Sequence, residues 1–168
     1  TMAVINVSAG NEAVLHLAPT DADGNAPGDL VTAANVLTVP QMQDITINNS
    51  TGVFRFKTLD NPAESAVTTP ATNQLSLNVV VDETSFFGNA TLSANGAVVE
   101  TGLFGVSKEK TKVAFRAYFN GTDTGSKYLQ GTGFISGLSP TVNMDSPVWI
   151  TPVTIEVDGD FTEGVVPA

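Results

Sequence analysis

Residues 112–161 read KVAFRAYFNGTDTGSKYLQGTGFISGLSPTVNMDSPVWITPVTIEVDGDF, and this stretch decides the fold. It contains three apolar runs, at residues 113–119, 127–138 and 148–157, in which apolar and polar side chains tend to alternate. A period of two residues is typical of a β-strand with one buried face. Clusters of Asn, Asp, Gly and Pro separate the runs, and these residue types favour turns. The stretch therefore predicts three strands joined by two turns.

The pattern within each run adds detail to this prediction. Phe115 and Ala117 fall on one side of the first run. Arg116 and Tyr118 fall on the other side, which predicts a strand buried on one face only. The second run contains several glycines, which predict bulges or close backbone contacts. In the third run Pro152 cannot donate a backbone hydrogen bond, so we predict an edge strand or a bulged one.

The layout of this region also resembles a known family. An aromatic pair ends the first strand, and a glycine-bounded hairpin with a polar tip and a Lys-Tyr start follows it. A Ser-Pro segment and a last strand that ends in Asp-Gly complete the layout. Over roughly residues 105–163 it resembles the C-terminal segment of tail tube proteins, the major tail proteins of long-tailed bacteriophages. The N-terminal two thirds of the chain match this family only in general pattern.

The resemblance implies a structural protein that assembles with itself. Tail tube proteins stack as rings, usually hexameric, around a channel that passes DNA. The sheets of the subunits join into one closed β-barrel, and long loops and a terminal arm hold the neighbouring ring. A joined sheet would also remove the exposed strand edges that invite uncontrolled pairing.

The charge of the whole chain fits a protein that does not hold nucleic acid. The chain has 17 acidic and 7 basic residues and a formal net charge of −10, so its surface repels phosphate backbones. All basic residues lie between Arg55 and Lys127, which leaves both ends of the chain acidic. We expect DNA to pass an acidic channel wall without specific binding, with the basic residues at subunit contacts or outside. The alternative is that the acids only keep the outer surface soluble.

Two further strand pairs are predicted in the N-terminal part. Residues 3–8 and 13–17 alternate weakly around a turn-forming segment. Residues 44–48 and 53–57 flank the sequence Asn-Ser-Thr-Gly in the same way. Short alternating runs separated by such residues predict β-hairpins.

Single elements are predicted between these hairpins and the C-terminal strands. Residues 30–39 and residues 75–81 each predict a strand, and the second shows clear alternation. Asp82 is a good helix N-cap, and apolar residues recur at helical spacing after it. We therefore predict a short helix over residues 83–94.

Residues 58–73 differ from the segments around them. They contain two prolines, several threonines and almost no large apolar side chain. We predict a long loop at residues 58–73 that becomes ordered when another subunit packs against it, since long unstructured connections are uncommon in compact domains. The candidates for subunit contact in this loop are Asp60, Asn61, Pro62, Glu64 and Pro70.

The search for catalytic or metal-binding patterns favours none. His16 is the single histidine and lies on an apolar run, where a packed or surface side chain is more common than a catalytic base. Asp21 and Asp23 suggest a calcium loop but lack its spaced ligands and distant glutamate. Asp158 and Asp160 flank a turn glycine, and turn chemistry is more common there than glycosidase chemistry. The chain contains no cysteine. We predict no enzymatic activity, no cofactor and no metal site.

These observations predict one tail-tube-like domain over residues 1–168 that self-assembles into the stacked rings of a tail tube. The expected fold is mainly β, a β-sandwich or partly closed barrel with one short helix. The alternatives are a ring protein of a contractile injection or type VI secretion tube, and a β-sandwich module that binds a sugar or a receptor. A sugar-binding module needs an exposed aromatic platform, for which Tyr118, Tyr128 and Trp149 are candidates. The predicted location is the virion, after assembly in the host cytoplasm and without membrane contact.

Overall fold

The computed structural model shows a mainly β protein, as predicted. It describes residues 13–20, 23–26, 37–39, 42–81, 86, 102–145 and 147–168. The strands are β1 (Val14–Pro19), β2 (Leu37–Thr38), β3 (Met42–Thr58), β4 (Asn61–Val80), β5 (Val113–Tyr118), β6 (Lys127–Leu138), β7 (Ile150–Val157) and β8 (Thr162–Val165). A short helix, α1 (Leu103–Lys108), precedes β5. The strand predicted at residues 3–8 lies outside the described residues, as does the helix predicted at 83–94 apart from Phe86.

The eight strands form one antiparallel sheet in the described part of the chain. Their order is β2-β1-β5-β6-β7-β4-β3, and β8 pairs with the first part of β6. Within the described ranges the two ends of this order, β2 and β3, are edges. The strand β7 lies between β6 and β4. Of the two predicted alternatives for the strand of Pro152, an edge strand or a bulged one, the edge strand is therefore wrong. The pairing of β7 with β6 does contain a register shift.

Pro152 fits in this inner strand because the pairing with β6 stops beside it. The ladder between β6 and β7 ends at Leu138 and Val153. The next backbone N–H, that of Ser139, donates to Thr151 Oγ1 at 3.1 Å instead. A proline is tolerated inside a sheet where the neighbouring strand does not need its missing N–H.

One face of the sheet carries the hydrophobic core. Strand register places Leu17 opposite Phe115. It also places Ile155 between Leu75 and Ile135. All five side chains are buried, and α1 contributes Leu103 to the same cluster. Burial of apolar area contributes about 25 cal/mol per Å², so this cluster is the main source of stability in the described part.

β5 is buried on both faces, whereas the sequence predicted one buried face. All six of its side chains, from Val113 to Tyr118, are buried. The guanidinium of Arg116 lies 4.0 Å from the centroid of the Tyr128 ring. Its N–H groups also donate to Gln130 Oε1 at 3.0 and 2.6 Å. Polar side chains can be buried when they find such partners, and a period-two pattern does not reveal those partners.

The glycines of β6 mark close contacts and a bulge, as predicted. A Cβ atom at Gly131 would lie 2.8 Å from the Phe115 ring. A Cβ atom at Gly133 would overlap the backbone carbonyl group of Glu156. A register shift beside Gly137 makes the bulge in the pairing with β7.

β3 and β4 form one long hairpin, and this overturns two predictions. Residues 58–73 are mainly strand rather than loop, and residues 49–52 lie inside β3 rather than at a turn. The two prolines of β4 fall opposite register shifts of the β3–β4 pairing, which lie at residues 50–52 and 56–58 of β3. A proline is tolerated at such irregular positions. The many threonines favour an extended chain because they are β-branched.

Candidate assembly surface

The outer part of the β3–β4 hairpin is an exposed arm. We define the arm as residues 48–72, with its turn at Leu59 and Asp60. Every described residue of the arm is exposed except Gly52, which is half-buried. A two-stranded hairpin that packs against nothing is only marginally stable in water. The arm therefore presents two open faces that a partner can cover.

One face of the arm is apolar. Phe54 pairs with Val67 and Phe56 pairs with Ser65, so these four side chains share a face, which we call the aromatic face. The two Phe rings stack with 6.1 Å between their centroids. The exposed fractions are 59% for Phe54, 37% for Phe56 and 53% for Val67. Sequence analysis missed this face, although the alternation of Phe54 and Phe56 in a polar stretch was its signal.

The opposite face of the arm is charged. Arg55 and Glu64 lie there, with 3.9 Å between Arg55 Nη1 and Glu64 Oε2. Their side chains are 63% and 47% exposed, and an exposed pair of this kind contributes about 0–1 kcal/mol. Val53 and Thr68 are paired on the same face. The two faces of the arm therefore differ in chemistry.

All five predicted contact residues lie on the arm. Asp60 is in the turn, and Asn61 and Pro62 begin β4. Glu64 follows on the charged face. Pro70 lies farther from the tip, toward the sheet. The structure thus brings four of the candidates together at the tip of the arm and separates Pro70 from them.

The base of the arm is fixed by hydrogen bonds to the turn after β7. Asn73 is 2% exposed, and its Nδ2 donates to the Gly159 carbonyl oxygen at 2.8 Å and to Asp160 Oδ1 at 3.3 Å. Asp158 Oδ2 lies 2.8 Å from Lys112 Nζ. These contacts give Asp158 and Asp160 structural partners, and those of Asn73 connect the base of the arm to this turn.

The outer edge of β3 carries unpaired backbone groups in the described part of the chain. The Val81 N–H donates to the Trp149 carbonyl oxygen at 2.8 Å. Alternate residues of a strand point their N–H groups to opposite sides. Since Val81 points to β7, Ser76 and Gln74 point to β3, where they pair with Thr46 and Asn48. The N–H groups of the alternate residues of β3, Ile45, Ile47 and Asn49, therefore point to the free edge.

Residues 44–50 of this edge lack the usual protection against pairing with another strand. Natural proteins protect exposed edges with lysine, proline or a bulge. Residues 44–50 lie between two register shifts of the pairing with β4 and pair with it regularly. They contain no lysine and no proline. Asp44 is the one charged residue among them, and its carboxylate accepts hydrogen bonds from Asn78 N and Nδ2 at 3.1 and 2.8 Å. The edge of β3 is thus suited to pair with a strand of another chain.

The aromatic candidates for a sugar-binding platform do not lie together on the surface. Tyr118 is 1% exposed, and Tyr128 is half-buried beneath Arg116. Trp149 is exposed and directly precedes the first residue of β7. His16 is 6% exposed and packs edge-on against Tyr118, with 5.0 Å between the ring centroids. Of the two predicted alternatives, a packed or a surface histidine, the structure shows the packed one.

The described residues offer neither a metal site nor a membrane-spanning helix. Among them, no group of three or more His, Cys, Asp or Glu side chains is placed to hold a metal ion. Asp21, one of the residues considered for calcium, lies outside the described ranges. No helix in the described part is long and apolar enough to cross a membrane.

Solved structures that resemble this sheet and its long exposed hairpin include chains from gene transfer agent particles and from contractile injection systems. A chain from the tail of an empty gene transfer agent particle with C6 symmetry matches at a TM-score of 0.62 and 8% identity, over 95% of this chain and 100% of that chain. A chain from the virion of the native gene transfer agent particle matches at 0.62 and 10% identity, with the same coverage. A chain from the sheath/tube terminator of an extracellular contractile injection system matches at 0.54 and 10% identity, over 97% of this chain and 100% of that chain.

These matches show that the chain shares its fold with chains from gene transfer agent particles and a contractile injection system. No family model matches the chain. The search of curated proteins also gives no match.

Proposed function

We propose that the protein is a structural subunit, without enzymatic activity, that self-assembles into hexameric rings stacked as a tail tube. The observation that carries this proposal is the match of its fold, over 95% of the chain, to a chain from a tail with C6 symmetry. The free edge of β3 and the exposed arm support it, because the described part of a lone subunit leaves both uncovered. In this role residues 1–168 act as one domain in the virion, after assembly in the host cytoplasm.

A second candidate function is a ring or cap protein of a contractile injection tube, including a type VI secretion tube. The sheath/tube terminator of a contractile injection system has the same fold. So does the tube-terminating cap of the anti-feeding prophage, at a TM-score of 0.55 and 12% identity. Genes for sheath proteins beside the gene of this chain would favour the second candidate. A neighbourhood of tail genes without a sheath would favour the first.

We assign the contact within a ring to the free edge of β3. In this arrangement the outward N–H groups of Ile45, Ile47 and Asn49 donate to backbone carbonyl oxygens of the next subunit. Each contact between neighbouring subunits would extend the sheet at the usual strand spacing of about 4.8 Å. A closed ring of joined sheets leaves no strand edge free for uncontrolled pairing.

Asn49→Pro is expected to prevent ring formation without unfolding the subunit. The proline removes one outward N–H, and its pyrrolidine ring lies at the contact between the two subunits. The hydrogen bonds to β4 come from the residues on either side of position 49, so they remain. Sedimentation velocity should show free subunits where the unsubstituted protein sediments as rings or tubes. Asn49→Ala keeps the N–H and is the control, which should assemble. Normal rings from Asn49→Pro would show that this edge is not the ring contact.

We propose further that DNA passes the channel without specific binding, because the channel wall is net negative. Arg116 is 3% exposed inside the subunit, so it does not line a channel. Arg55 and Lys57 are exposed on the arm, and we assign both to subunit contacts.

Preformed tubes are therefore expected to retain no DNA, at low salt as well as at high salt. Phosphate contacts to basic side chains weaken steeply as the salt concentration rises. A filter-binding assay over a range of salt concentrations distinguishes an acidic channel wall from a basic one. Retention at low salt that is lost at high salt would show a basic channel wall and contradict the proposal.

A further inference from the structure

A second exposed apolar surface lies just before the start of β7. Thr141 and Ile150 pair through two backbone hydrogen bonds of 2.8 and 2.9 Å. This pair closes a loop between residues 141 and 150, in which the structure describes residues 142–145 and 147–149. We call these described residues the apolar loop. Its exposed large side chains are Val142 (41%), Met144 (100%), Val148 (46%) and Trp149 (52%). Exposed apolar groups clustered in this way mark interaction sites.

The aromatic face of the arm and the apolar loop lie at opposite ends of the same sheet. β4 runs from the tip of the arm into the sheet, and its last residue, Val80, pairs with Ile150 beside the apolar loop. Val67, on the aromatic face, precedes Val80 by 13 residues in this strand. At about 3.3 Å per residue the separation is about 43 Å. The two surfaces therefore cannot meet within one subunit.

We propose that the aromatic face of the arm docks on the apolar loop of a second copy of this chain, in the next ring of the tube. This inference rests on the proposed function and names the two surfaces that join the rings. A contact between different surfaces at opposite ends of identical subunits is heterologous, and its repetition along an axis builds an open stack. Each subunit brings one arm and one loop, so every arm in the stack finds a loop.

The chemistry of the two surfaces is complementary. Aromatic residues and methionine are the side chains enriched in protein interfaces, and the two surfaces together supply Phe54, Phe56, Met144 and Trp149. No residue of the aromatic face is charged. The single charged residue of the apolar loop, Asp145, is exposed. Docking therefore has to leave only the Asp145 carboxylate in contact with water, since burial of an unpaired charge is costly.

Thiol crosslinking tests the docking directly, because the chain has no cysteine of its own. The double variant Ser65→Cys and Met144→Cys places one thiol on the aromatic face and one on the apolar loop. After assembly, a short bis-maleimide crosslinker should give a ladder of covalent multimers on a denaturing gel. Free subunits of the same variant, kept dilute, should give no ladder.

A matched variant controls for the face of the arm. Thr68 pairs with Val53 on the charged face, so Thr68→Cys combined with Met144→Cys should lose the ladder. The docking is overturned if the variant with Ser65→Cys and Met144→Cys forms tubes but gives no ladder, or if both double variants give equal ladders. Either result would leave the proposed function as a tube subunit standing. If the unsubstituted protein forms no tubes, the proposed function fails and the docking fails with it.

Trp149 gives a second measurement that needs no substitution. It is the chain's one tryptophan and is 52% exposed. Docking of the aromatic face should shift its fluorescence emission to shorter wavelength when subunits assemble. An emission maximum that is the same in tubes and in free subunits would overturn the docking.

Discussion

Replacement of residues 51–71 by an Asn-Gly turn is expected to abolish tube formation and to leave the folded subunit intact. Ser50 and Thr72 are paired across the hairpin, and Asn-Gly is the residue pair that best closes a two-residue hairpin. Apart from the half-buried Gly52, the removed residues are exposed where the structure describes their side chains. None of them belongs to the hydrophobic core. Circular dichroism should be that of a β protein, and sedimentation velocity should show free subunits.

A second variant separates the length of the arm from its apolar face. Phe54→Thr combined with Phe56→Thr keeps the arm and its β propensity but removes the aromatic face, so it should also fail to form tubes. Val53→Thr changes the opposite face and should assemble normally. Ordinary tubes from the truncated protein would show that the arm is only a surface hairpin.

Gly133→Ala is expected to destabilise the subunit strongly. The new methyl group would overlap the carbonyl group of Glu156 in the neighbouring strand, and a backbone atom cannot move aside as the end of a side chain can. We expect a loss of about 3 kcal/mol, the upper end of the usual cost of overpacking. In a domain of this size that loss lowers Tm by about 6–12 °C, which differential scanning calorimetry measures.

Gly137→Ala is the matched control in the same strand. A Cβ atom at Gly137 meets nothing within 4 Å, so its Tm should stay close to that of the unsubstituted protein. Equal Tm values for the two variants would contradict the close contact between β6 and β7 at Gly133.

The C-terminal strands were predictable because their patterns are local. Alternation of apolar and polar residues, interrupted by Asn, Asp, Gly and Pro, indicated β5, β6 and β7 near their observed positions. The close contacts and the bulge of β6 followed from its glycines. In these strands the local preferences and the packing favour the same conformation.

The arm was not predictable from local patterns because its prolines and its Asn-Ser-Thr-Gly segment favour turns in isolation. Pairing along the whole of β3 and β4 overrides these preferences, and it places the irregular residues at register shifts. The burial of Arg116 was unpredictable for a similar reason. Its partners, Gln130 and the Tyr128 ring, come from the neighbouring strand β6, and no pattern within β5 identifies them.

Electron cryo-microscopy of the concentrated protein tests the central claim most directly. The account predicts tubes of stacked rings with six subunits each, in which the edge of β3 continues the sheet of the next subunit. The arm of each subunit should lie on residues 142–149 of a subunit in the adjacent ring. A protein that stays monomeric up to millimolar concentration, and that is absent from tubes in particles of its source, would contradict the account.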